Sequence, residues 1–427
     1  MDIRSLIVNL LLKRPSSLAD LADQTGASLP TIRRAVGELE RDRWLTATGR
    51  VEATGGRPAK LYSLELRFHT LVGVHMAHPG MRLVATDLLG NVVAADAPAS
   101  LIDLDPETSH AAILRFIENL NSSQPLRSVT GIGVATPGYV DQQSGTVITI
   151  GRVPHWNNLP LKARLEEATG VGVAVVNDFD ALAAREFEIA EGGRNRAYVG
   201  FGEGLKFSIF IEEASYSGPF GNAGLVGRAA LAERYGGSVA RLFTVSGFVA
   251  AYAEASGEDP PSYVNHPDDV HQHFTTALEL AAASEQPASE IVSAFVDALG
   301  SEIAALVHLV QPSLIVVGGA LAGAPVTVID AIESATRKRL PTLIDNSLIF
   351  RRARARSEND TAIGAATVYL RAALPSLFDR TSRHGVRSRS LSRSPRQTRR
   401  RPAHLSDDHR EEHDGATDPA EGTETFS

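Results

Sequence analysis

Apolar residues near the amino terminus recur at three- and four-residue spacing. Ile3, Leu6, Ile7, Leu10 and Leu11 fall on one face of a first helix. A second, short helix runs from Ser17 to Thr25 with Leu18, Leu21 and Ala22 on one face, and Gly26 ends it. Ser28 stands where it caps a third helix, which turns Ile32, Ala35, Val36 and Leu39 inward. The stretch WLTATGRVEATGGRPAKLYSL, residues 44–64, then reads as two short strands around a glycine-rich loop. Helix, helix–turn–helix and strand pair in this order predict a winged helix-turn-helix over residues 1–66.

From about residue 68 the pattern changes. Short apolar runs (GIGVATPG, VGVAVV, AYVGFG, LIVVGGA) alternate with helical stretches, which predicts an α/β region over residues 68–374. Its opening, LVGVHMAHPGMRLVATDLLGNVV at residues 71–93, is a strand–turn–strand hairpin of the kind that holds a phosphate under its turn. Yet the turn offers His75, Ala77, His78 and Met81, with no carboxylate and no small hydroxyl. Beyond residue 374 the apolar period stops. RTSRHGVRSRSLSRSPRQTRRR is followed by SDDHREEHDGATDPAEGTETFS. Neither half carries enough apolar surface to fold, so residues 375–427 read as a disordered tail, Arg/Ser-rich and then acidic.

Bulk numbers narrow the picture. With 427 residues there is room for two to three domains. No cysteine is present, which excludes disulfides, a thiolate nucleophile and a Cys-ligated metal. The amino terminus shows no signal-peptide pattern and no apolar run reads as bilayer-spanning, so a cytoplasmic protein without membrane contact is expected. The net charge of −8 confines any nucleic-acid contact to a local basic patch.

Such a patch lies on the third helix. Its outer face carries Thr31, Arg33 and Arg34 close to the Ser28 cap, where a recognition helix meets base edges and phosphates. Arg57, in a Gly-Gly-Arg-Pro loop flanked by Arg50 and Lys60, is placed to enter a minor groove. Double-stranded DNA is therefore the expected partner. Two histidine groups, His75/His78 and His266/His271/His273, have neither matching acids nor rigid spacing and are read as turn or surface residues; no metal is expected.

The large region resembles the ROK family of repressors, open reading frames and kinases over roughly residues 69–372. The resemblance is carried by GIGVATPGYVDQQSGTVI, by HWNNLPLKARLEEATGVGVAVVNDFDALAAREFE, and by QPSLIVVGGAL and GAATVYL, in the family's order. It implies a two-lobed, actin-like (ribonuclease H-like) sugar-kinase fold. It also implies that Asn177 binds sugar and that Asp178 holds the position of the catalytic base. Family members with an amino-terminal winged helix are sugar-responsive transcription factors, and the Gly-Arg-Pro wing is typical of them.

The resemblance also implies which kinase parts are missing. The family's Asp-x-Gly-Gly-Thr loop is here His75-Met76-Ala77-His78-Pro79, and its Gly-Thr-Gly loop is Gly202-Glu203-Gly204. A fixed anion beside a phosphate costs about 1–4 kcal/mol, which Lys206 offsets in part. The family's Ala-Gly-Glu-x-Gly-His becomes AGLVGR, with Leu225 for the sugar-binding glutamate and Arg228 for a zinc-binding histidine. No ATP, zinc or other cofactor is expected. Asp178 is then a vestigial base, and Asn177, Asp178 and Arg228 are left as ligand-binding candidates for a sugar or sugar-phosphate effector. The expected function is a ROK-type transcriptional repressor linked to carbohydrate metabolism, working as a homodimer or dimer of dimers on a palindromic operator. The alternatives are an active ROK sugar kinase with an appended DNA-binding domain and a ligand-independent DNA-bound scaffold.

Overall fold

The computed structural model describes residues 2–51, 59–76, 81–97, 105–150, 154–189, 193–262, 266–354 and 357–378. Arg57, Ala77, His78 and Pro79, the side chain of Arg50 and the expected tail beyond residue 378 lie outside the described residues. The amino-terminal unit runs α1 (Ile3–Leu11), β1 (Ser16–Ser17), α2 (Leu18–Thr25), α3 (Leu29–Arg41), β2 (Leu45–Val51) and β3 (Ala59–Leu64). Its strands pair in the order β1-β3-β2. This is the winged helix-turn-helix that the apolar spacing predicted. Ser17 caps α2 in a reciprocal box with Asp20, and left-handed Gly26 (φ 69°) closes that helix.

The first lobe is built on a five-stranded sheet. It contains β4 (His69–His75), β5 (Arg82–Thr86), β6 (Val92–Asp96), α4 (Pro106–Ser123), β7 (Ser128–Thr136), the hairpin β8 (Tyr139–Asp141) and β9 (Thr146–Thr149), α5 (Leu161–Thr169) and β10 (Val173–Asn177). The order is β10-β7-β4-β5-β6. Strands β4, β7 and β10 run parallel, while β5 and β6 return antiparallel as the expected hairpin. Trp156 is buried in this lobe's core.

α6 (Asp178–Ile189) leads from β10 into the second lobe. There β11 (Arg196–Phe201), β12 (Leu205–Ile211), β13 (Ala214–Tyr216) and β14 (Leu225–Val226) precede α7 (Arg228–Tyr235), α8 (Gly237–Ala240), α9 (Val245–Ser256), α10 (Pro267–Ala282) and α11 (Ala288–Val310). After these come β15 (Leu314–Gly319), α12 (Val326–Arg337), α13 (Thr342–Asp345), β16 (Ile349–Arg352) and α14 (Asp360–Ala373). The sheet order is β13-β12-β11-β15-β16, with β14 beside β12. Against the expectation of no bilayer-spanning run, α11 is long and apolar enough to cross a membrane by length and composition. Its Phe295, Leu299 and Ile303 are instead fully buried in the second lobe's core.

α14 returns to the first lobe and seats against it at backbone distance. A Cβ added to Gly73 or Gly133 would overlap the carbonyls of Ala362 or Ala365 on α14, and one added to Gly364 would overlap the carbonyl of Ala181 on α6. These three glycines let α14 lie against β4, β7 and α6 with no side chain between. The far end of α14 enters the amino-terminal unit. Tyr369, Leu370, Leu374 and Phe378 share one apolar core with Ile7, Leu11, Leu39 and Trp44.

Candidate functional site

On α3 the amphipathic pattern sorts the residues cleanly. Ile32, Ala35, Val36 and Leu39 are buried, whereas Arg33 and Arg34 are exposed with no hydrogen bond or ion pair among the described residues. The Ser28 hydroxyl accepts from the Thr31 amide at 3.4 Å and shares a hydrogen bond with the Thr31 hydroxyl at 2.9 Å. The first turn is thereby fixed and both arginines are held out into solvent. Lys60 is placed differently from the expectation of a free flanking cation. Its Nζ lies 3.3 Å from Glu40 on α3 and 4.7 Å over the Tyr62 ring. The backbone of Arg50 pairs with Lys60 across the β2–β3 ladder.

The candidate cleft is centred where β10 meets α6. Asn177 is buried and both ends of its amide are taken: Oδ1 accepts from the Phe179 amide at 3.0 Å and Nδ2 donates to the Gly138 carbonyl at 3.1 Å. It works as a turn that stitches α6 to the β7–β8 connection, a use that competes with sugar binding. Asp178 accepts from the Phe179 amide through one oxygen at 2.9 Å, and its second oxygen has no partner among the described residues. Burial, reinforced by the negative Asp180, pushes the Asp178 carboxyl up to about 6 against the pull of the Phe179 amide and Lys206.

Lys206 does not face Glu203, where the sequence reading had it offsetting a charge. It is completely buried, donating to the Ala223 carbonyl at 3.0 Å and lying 3.5 Å from Asp180. Gln142 from the first lobe donates to the same Asp180 oxygen at 3.4 Å and to the Gly221 carbonyl at 3.0 Å. Asn222 closes the seam, accepting from the Val140 amide and donating to the Val140 carbonyl, both at 3.0 Å. Sequence reasoning missed this clasp between the lobes because its members are far apart in the chain and belong to no motif.

Glu203 is also placed otherwise than expected. Its carboxylate accepts from the Ser246 amide at 3.0 Å and from the Ser246 hydroxyl at 2.6 Å, in the first turn of α9. Exposed backbone amides there favour an anion, and this chain supplies one from within. Arg228 is exposed and donates to the Glu203 carbonyl at 3.4 Å. It lines a cavity of about 370 Å³ with Arg241, Thr244 and Ser246, whose lining includes neither Asn177 nor Asp178. That cavity thus takes in Arg228 without the other two ligand-binding candidates. His75 is drawn down to about 4 by burial and by Arg82 across the hairpin, so it is a neutral imidazole at ordinary pH. Among the described residues no cluster of His, Asp and Glu could hold a metal.

The family model of the ROK family matches residues 103–372. The chain belongs to the ROK family. Among its relatives is a putative xylose repressor of Caldicellulosiruptor sp. (strain Rt8B.4), 23% identical over 73% of this chain and 81% of that protein. Another is the DNA-binding transcriptional dual regulator NagC of Escherichia coli K12, 25% identical over 84% of this chain and 90% of NagC. A solved ROK family transcriptional regulator, a homolog of the E. coli MLC protein, superposes with a TM-score of 0.72 at 21% identity, covering 88% of this chain and 96% of that one. The ROK hexokinase of Thermus thermophilus superposes with a TM-score of 0.57 at 21% identity, over 71% of this chain. The fold of this ROK protein is thus a winged helix-turn-helix followed by a two-lobed, actin-like domain, as the sequence implied.

Proposed function

We propose that this ROK protein is a DNA-binding transcriptional regulator, acting as a repressor in carbohydrate metabolism, whose sugar-kinase-like domain senses a ligand without phosphorylating it. The reading rests above all on α3. Two adjacent guanidinium groups stand exposed, without a partner among the described residues, beside a capped first turn, the placement that suits phosphate and base contacts in a major groove. Names of relatives, a putative xylose repressor and the regulator NagC, support the same direction. The partner is a palindromic duplex, bound in the cytoplasm by a homodimer or dimer of dimers that sets two α3 helices one DNA turn apart. The effector is a sugar or sugar phosphate, and Asp178 offers it a carboxylate oxygen that has no partner among the described residues. An allosteric regulator needs only unequal affinity for two conformations, and no chemistry. Replacing Arg33 and Arg34 by Ala should weaken duplex binding and reduce the slope of log K against log salt by about 2. Fluorescence anisotropy across a salt series measures both; unchanged affinity and slope would place the contact elsewhere.

One observation favours a second reading, a working kinase with an appended DNA-binding unit. A carboxyl held near 6 is tuned for general-base duty. Against it stand the neutral His75 in the first loop and the Glu203 carboxylate seated on α9. Sugar-dependent ADP release from ATP, abolished by Asp178→Asn, would establish the kinase; none is expected.

A further inference from the structure

The amino-terminal unit is held from two directions by two kinds of contact. Toward the first lobe and α14 the attachment is apolar. Trp44 stacks on His69 with ring centres 3.9 Å apart, and Phe378 meets Trp44 edge-on at 5.1 Å. The Phe378 carbonyl also accepts from Arg4 of α1 at 2.6 Å. Together with the shared core this makes the unit one packed body with the five-stranded sheet. Toward the second lobe the link is ionic. Lys13, two residues beyond α1, places Nζ 2.9 Å from Oε2 of Glu213, 200 residues away in sequence.

Glu213 sits at the tip of the β12–β13 hairpin, and that tip is strained. Glu212 and Glu213 both have left-handed backbones, with φ of 52° and 68°. A two-residue turn with both centres left-handed favours Asn-Gly or Asp-Gly, because side chains with a Cβ resist that region. Here two glutamates occupy it and are pinned from the neighbouring segment. The Glu212 amide donates to Asn195 Oδ1 at 3.0 Å, Arg194 pairs with the Glu212 carboxylate at 3.0 Å, and the Glu213 amide donates to the Arg194 carbonyl at 2.9 Å. Strain that the surroundings enforce this firmly marks a position held for a purpose. What the turn delivers is one carboxylate against Lys13. The hydrogen bond from Lys13, together with its opposite charge, holds the Glu213 carboxyl below its ordinary range.

We infer that the β12–β13 tip is the surface by which the second lobe engages the DNA-reading unit, and that Lys13–Glu213 passes a movement of that lobe to α3. The inference rests on the DNA-regulator reading above. The apolar attachments join the unit to the first lobe and to α14, whereas among the described residues Lys13–Glu213 is the ion pair that reaches the unit directly from the β12–β13 hairpin of the second lobe. A solvent-exposed ion pair is weak and reversible, which suits a contact that forms in one lobe arrangement and parts in another.

The absence of cysteine allows a direct test on the full chain. Cysteines introduced at two exposed positions, Gln24→Cys in the reading unit and Glu258→Cys in the second lobe, carry spin labels for distance measurement. With the native pair a single narrow distance distribution is expected. Lys13→Glu or Glu213→Lys alone should broaden or shift it and change duplex affinity about two- to fivefold. The double swap should restore both. The swapped chain still carries Glu at position 13, so its recovery cannot come from charge beside the DNA. Distributions that ignore the single variants, or a swap that fails to restore, would overturn the inference. Distances that respond in a chain that binds no duplex would instead overturn the DNA-reading assignment and leave the contact standing.

Discussion

Asp178 has a shifted carboxyl whose consequence can be read in solution. Its carboxyl titrates near 6 in the folded chain against an ordinary 3.8. Between those values the folded state holds a proton that the unfolded state has lost, so stability falls as pH rises from about 4 to about 6 and stays lower above that. Asp178→Asn removes the penalty. At pH 7.5 the variant should be more stable than the parent by about 1–3 kcal/mol, and at pH 4 nearly equal to it, by urea denaturation at both pH values. A helix-capping role alone would give the opposite sign at neutral pH, since an ionised Asp at the first position of α6 favours the helix dipole. The same measurement therefore separates a tuned carboxylate from a simple cap.

At the scale of elements, α14 joins every working part. It lies against β4 and β7 through Gly73 and Gly133, against α6 and hence Asp178 through Gly364, and meets the reading unit through Tyr369 and Leu370, with Leu374 and Phe378 just beyond its end. Gly133→Ala forces a Cβ into the Ala365 carbonyl, and neither backbone has room to give. The loss should be about 2–3 kcal/mol in thermal or chemical unfolding, well beyond the ordinary effect of Gly→Ala in a strand. None of this seating could be read from the sequence, because it depends on which helix returns to which strand. What could be read was local: the Ser28 cap, the buried stripe of α3, and the hairpin after residue 69 all follow from spacing and capping chemistry. Glu203 marks its loop as unlike a phosphate site from sequence alone, with Lys206 expected to offset part of its charge. Their partners, Ser246 and Asp180, became visible only in three dimensions. Sequence gave the wrong neighbour for Lys206 because a buried ammonium goes to the nearest buried carboxylate, and Asp180 is brought there by the β10–α6 turn.

The whole molecule couples an exposed cationic helix to a two-lobed domain whose cleft is occupied by its own side chains. The lobes are joined across the seam by Gln142, Asn222 and the buried Lys206–Asp180 pair, and the anion-favouring first turn of α9 is filled by Glu203. An arrangement of this kind suits a protein that changes shape around a ligand and reports the change to DNA. The most direct test is selection of duplexes from a random pool by the 427-residue chain, alongside the Arg33→Ala/Arg34→Ala double variant. The account predicts enrichment of an inverted repeat with half-sites one helical turn, or a multiple of it, apart, and loss of that enrichment in the double variant. No enrichment by the parent chain, or equal enrichment by the variant, would contradict it.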